Sequence, residues 1–132
     1  MNFRNKKHAD RFFTAIHDNK IGTEDTAMLA AVYVLTCRKK VWDRFKDHII
    51  NGGTEIEACA FAEFQANNPS ENAIVTAAFD VLYGTDSIAI EDFCDDSTIP
   101  DDAFWAIMYM ICYYRMGFDD CPVKDISDIK LN

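Results

Sequence analysis

Apolar residues recur along this chain at three- and four-residue spacing, separated by compact polar breaks, which is the signature of amphipathic helices. Ala9, Phe12, Phe13 and Ile16 share one face and predict a first helix over 6–18. Asn5 stands where a cap is needed, and the run from Asn19 to Gly22 ends the segment. Thr23 followed by Glu24 and Asp25 predicts a second helix over 24–37, because an oxygen-bearing cap and early negative charge both suit a helix start. Ala27, Met28, Ala31, Val32 and Leu35 make this segment strongly apolar, and it is expected at the centre. Val41, Trp42, Phe45 and Ile49 predict a third helix over 40–50, with a break at Arg38-Lys39 before it and a stop at Asn51-Gly52-Gly53 after it.

In the second half, Thr54-x-x-Glu57 has the form of a capping box ahead of a short helix to about 66, carrying Ile56, Ala60, Phe61 and Phe64. Ser70 is the expected cap of a helix over 71–83, with Ile74, Ala77, Ala78, Val81 and Leu82 inward and Gly84 at its end. A short helix is predicted over 88–94. Ser97 or Thr98 is the expected cap of a last long helix that has Pro100 in its first turn and ends at Gly117. Phe104, Trp105, Ile107, Met108, Ile111 and Tyr114 are expected to bury it, which leaves Tyr109 and Tyr113, four residues apart, for a partner. The outcome is an all-α fold: a single compact domain of five to six helices over 1–117, then an acidic, partly ordered tail over 118–132.

Composition narrows the function. With 49% hydrophobic residues in 132, the chain can offset its ordering entropy and is not a disordered acidic protein. The net charge of −9 argues against nucleic-acid or anionic-membrane binding, so neither is expected. That charge is uneven: residues 1–50 hold ten Lys/Arg and six Asp/Glu, while 51–132 hold three and sixteen. Either the halves neutralise each other on packing, or the acidic half offers a face to a basic partner. No apolar run reaches spanning length, and no apolar region follows the basic start, so neither a membrane helix nor a secretory signal is expected. Five widely spaced cysteines, at 37, 59, 94, 112 and 121, point to reduced thiols and a cytoplasmic location.

Catalytic patterns are sparse. There is no C-x-x-C, H-x-x-x-H or E-x-x-H, and His8, His17 and His48 are dispersed. His17-Asp18 has the form of a metal-binding doublet but lacks suitably spaced companions, and is better explained as a helix end. Asp92-x-x-Asp95 is the candidate metal pair, since hard cations use such oxygen clusters. No nucleophile elbow or phosphate-binding glycine loop is present, so enzyme activity and cofactors are not expected. The basic cluster Arg38-Lys39-Lys40, Arg44 and Lys46 invites a DNA-binding reading, but Trp42 and Phe45 commit that segment to the core.

Several segments together carry a resemblance: Phe3-x-Asn5-x-x-His8-x-x-x-Phe12, Asp25-Thr26, Tyr33-Val34-Leu35, Ala77-x-Phe79-Asp80-Val81-Leu82-Tyr83 and Phe93-x-Asp95. Over about residues 2–115 the chain resembles a family of small all-helical proteins of Gram-positive bacteria and their phages or mobile elements. That family has no assigned activity, so the resemblance implies only a cytoplasmic, mobile-element setting. The expected function is a non-enzymatic interaction module, binding a protein partner or a second copy of itself through Asp95, Asp96, Asp101, Tyr109 and Tyr113. The alternatives are an acidic mimic of nucleic acid that inhibits a DNA-binding or defence protein, and a divalent-metal-dependent all-α hydrolase.

Overall fold

The computed structural model describes residues 2–118; the remainder of the predicted tail, 119–132, lies outside the described residues. The elements are α1 (Lys6–Asn19), α2 (Thr26–Leu35), α3 (Lys39–Phe45), a 3₁₀ turn (Lys46–His48), strands β1 (Ile49–Ile50) and β2 (Glu55–Ile56), α4 (Ala58–Glu63), α5 (Pro69–Tyr83), α6 (Ile90–Phe93) and α7 (Asp101–Met116). The fold is a mostly helical domain with seven α-helices among the described residues, rather than the expected five to six, and one two-stranded hairpin. No helix among the described residues is long and apolar enough to cross a membrane.

α2 forms the centre. Every residue from Met28 to Leu35 is buried, and the helix packs on α5, α7 and α1. A helix with no polar face must be enclosed on all sides, and these neighbours enclose it. Arg38 adopts an extended backbone conformation, which supplies the expected break between α2 and α3.

Several helix starts differ from the sequence reading. Asp25, not Thr23, caps α2, its carboxylate accepting from the Met28 N–H at 3.2 Å. Asn68, not Ser70, caps α5, with Pro69 in its first turn. This frees the Ser70 hydroxyl to donate to Asp102 at 2.7 Å. α7 begins without a side-chain cap, Pro100 occupying the cap position. The starts at Asn5 and the ends at Gly84 and Gly117 are as expected.

The predicted third helix is shorter than expected. It stops at Phe45, and Ile49 and Ile50 pair antiparallel with Ile56 and Glu55. Asn51, Gly52 and Gly53 all take positive φ and build the hairpin loop. The Thr54 hydroxyl donates to the Asn51 carbonyl inside that loop, so it caps no helix; α4 starts after Glu57. At Gly53 a Cβ would stand 2.3 Å from the Asn19 carbonyl oxygen, so the loop lies directly against the end of α1.

α7 presents a different face from the expected one. Ala103, Ala106, Ile107, Tyr109, Met110 and Tyr113 are buried, while Ile111 and Tyr114 are exposed. The chain start is drawn into the same core. His8 is fully buried; its Nε2–H donates to the Tyr33 carbonyl at 2.7 Å, and its Nδ1 accepts from the Arg4 N–H at 3.1 Å. Burial holds its pKa down at about 4, so the ring is neutral. Phe118, assigned above to the tail, stacks on Tyr113 and Phe12 and belongs to the domain.

Candidate functional site

The corner between α6 and α7 gathers three of the acidic residues that the sequence singled out, Asp95, Asp96 and Asp101. Phe93, Cys94, Asp95, Asp96, Ile99, Asp101, Phe104 and Trp105 line an open recess of about 500 Å³. Buried Ile99 anchors its floor to the core. Phe93 meets Phe104 edge-on at 6.2 Å, and Phe104 meets Trp105 edge-on at 5.3 Å, so the aromatic rings brace one another.

The loop between the helices fixes Asp95. Asp95 Oδ1 accepts from the Ser97 hydroxyl at 2.6 Å and the Ser97 N–H at 2.9 Å, and Oδ2 accepts from the Thr98 hydroxyl at 3.2 Å. The Ser97 and Thr98 bonds favour the charged form and hold the Asp95 carboxyl below its ordinary range. Ser97 and Thr98 therefore serve this turn rather than the start of α7. Asp96 and Asp101 are exposed at the rim, and neither forms a side-chain hydrogen bond or ion pair among the described residues. The recess thus presents negative charge beside aromatic faces, a combination that suits a cationic side chain.

Three of the five expected interaction residues, Asp95, Asp96 and Asp101, share this recess. The other two do not. Tyr109 is 2% exposed and Tyr113 0%, so both are core residues and neither faces a partner on the described surface. α7 is apolar on nearly every side, so the spacing of Tyr109 and Tyr113 does not distinguish a buried face from an exposed one. The candidate metal pair has a structural role as well: Asp92 accepts from the Ala89 N–H at 2.8 Å at the start of α6, while Asp95 holds its own turn.

Other charged groups are committed to the fold. Asp102 pairs with Arg38, joining the acidic half to the basic half, and it also accepts from Ser70. Burial pushes the Asp102 carboxyl up, but the Ser70 and Arg38 interactions outweigh it and the net shift is downward. Asp80 is a residue the sequence reading missed: it accepts from Thr85, Ser87 and Ile88 and closes the loop after α5. A polar triplet in T-x-S-x after a helix end is the signal that could have found it. Within the basic cluster, Lys39 and Lys46 both pair with Asp43, and the neighbouring Arg11 donates to the Thr36 and Cys37 carbonyls.

Among the described residues, one group of three brings metal-binding side chains within reach of a single ion: His48, Glu57 and Cys59. No protein-family model, no curated protein and no solved structure matches this chain.

Proposed function

We propose that this protein is a non-enzymatic interaction module that takes a basic segment of a partner protein, seating a Lys or Arg side chain in the recess between α6 and α7. The observation that carries this reading is the shared lining of Asp95, Asp96 and Asp101 with Phe93, Phe104 and Trp105. Aromatic walls cover the aliphatic stem of such a side chain, and the carboxylates at the rim meet its charge. Carboxylates around an open recess also steer a basic partner during encounter. The bacterial or mobile-element setting implied by the family resemblance belongs to the same reading.

The nucleic-acid-mimic alternative has less support, because Asp92 and Asp102 are each held by interactions within the domain. A phosphate mimic needs an extended row of acids, and a compact recess suits a single cation better.

The test is affinity capture by the wild-type chain and by the Asp96→Lys/Asp101→Lys variant, with captured proteins compared by mass spectrometry. A partner whose captured segment is rich in Lys or Arg, lost from the variant, supports the reading. Capture unchanged by the double reversal, or no partner for a chain that light scattering finds monomeric, overturns it.

A further inference from the structure

The hairpin and the start of α4 form a second cluster, separate from the acidic recess. The Ile49–Ile56 register makes His48 and Glu57 the next opposed pair, just beyond the ends of the two strands. The Glu57 N–H donates to the His48 carbonyl at 2.9 Å, which extends the ladder by one step and turns both side chains to the same side. His48 Nδ1 lies 3.2 Å from Glu57 Oε1. Cys59, in the first turn of α4, completes the group: one ligand atom from each residue lies within 4.8 Å of the others.

We propose that His48, Glu57 and Cys59 bind one divalent transition-metal ion, of which Zn²⁺ is the best match. An imidazole, a carboxylate and a thiolate are all zinc ligands, and the thiolate disfavours Mg²⁺ and Ca²⁺. The carboxylate and thiolate together balance the 2+ charge. In a tetrahedral site with bonds of about 2.0–2.3 Å, ligand atoms stand roughly 3.3–3.8 Å apart, so a shift of at most about 1.5 Å, available to the exposed Cys59 and the half-buried His48 and Glu57, closes the group on the ion. The supporting backbone is held from three directions. The hairpin loop presses on the end of α1 at Gly53, Tyr83 of α5 donates to the Ile56 carbonyl at 3.3 Å, and Ile56 is buried in the core. Three protein ligands leave one position open to solvent, and binding displaces the thiol proton of Cys59.

Calorimetric titration of the reduced full-length chain with Zn²⁺ alone, paired with Co²⁺ absorption spectra, tests the site. The expected result is a 1:1 complex whose Co²⁺ form shows a thiolate charge-transfer band. Cys59→Ser should abolish that band and weaken binding by at least about 100-fold, the upper end of what even a supporting outer-shell partner costs. His48→Gln should weaken binding comparably, with Glu57→Gln as a second variant if His48→Gln does not fold by circular dichroism. Cys94→Ser and Cys121→Ser should bind as wild type. Absence of saturable 1:1 binding, or a charge-transfer band that persists in Cys59→Ser and disappears in Cys94→Ser or Cys121→Ser, overturns the proposal.

Discussion

Tyr33 of α2 and Tyr113 of α7 meet edge-to-face at 5.2 Å, and both reach the backbone of Asn2. The Tyr33 hydroxyl donates to the Asn2 carbonyl at 2.8 Å, while the Asn2 N–H donates to the Tyr113 hydroxyl at 2.5 Å. Two central helices are thereby joined through the first residues of the chain. Tyr33→Phe and Tyr113→Phe should each lower stability by about 0.5–1.5 kcal/mol, because each removes a buried hydrogen bond to the Asn2 backbone. The double variant should cost less than the two singles added, since both act through Asn2. Urea denaturation of the four proteins measures the difference.

The buried His8 ring gives the protein a pH dependence. Its folded pKa of about 4 lies below the ordinary 6.5, so the unfolded chain takes up the proton first as pH falls. The associated stability is complete above pH 6.5 and is lost progressively between about 6.5 and 4, by roughly 3 kcal/mol across the window. His8→Gln should lower stability at pH 7 and flatten the curve over that window. Thermal melts at half-unit pH steps provide the check; a wild-type curve already flat between pH 6.5 and 4 would contradict it.

Gly53 combines a φ of +87° with a Cβ position blocked at 2.3 Å by the Asn19 carbonyl. Gly53→Ala should therefore destabilise by more than the ~1–2 kcal/mol of the left-handed conformation alone, since the hairpin must also move off α1. Gly52→Ala, which meets no atom within 4 Å, should cost only the conformational part. Chemical denaturation of the pair separates the two contributions.

The cysteines should react in a fixed order. Cys59 and Cys94 are exposed, whereas Cys37 is buried and its thiol is pushed up to about 11, chiefly by desolvation. At pH 8, alkylation followed by peptide mass mapping should modify Cys59 and Cys94 at least about 100-fold faster than Cys37, which reacts only through opening of the core. Equal rates at Cys37 and Cys59 would contradict the burial of α2's end.

Periodicity conveyed most of the helical order, because α1, α5 and α7 carry long apolar patterns with Asn5, Gly84 and Gly117 at their ends. It could not convey the hairpin. Two-residue strands are too short to alternate, and Asn51-Gly52-Gly53 stops a helix and turns a strand with the same residues. Nor could it orient α7, where nearly every position is apolar. Burial of Tyr109 and Tyr113 was decided by the surrounding helices, including a backbone group 111 residues away in sequence. The acids of the recess were legible because they cluster in sequence between Asp95 and Asp101. His48, Glu57 and Cys59 were not, since strand register brings them together at a spacing that no short metal motif uses.

The apolar run of α2, Ala27 to Leu35, has a consequence during synthesis. Its enclosing helices α5 and α7 both follow it, and α7 ends at Met116, about eighty residues after Leu35. At ribosomal rates of about 5–20 residues per second, roughly 4–16 s separate the emergence of α2 from that of its last cover. Until Tyr83 has been added this uncharged helix-forming segment lacks the cover of α5, and it lacks the cover of α7 for the whole interval.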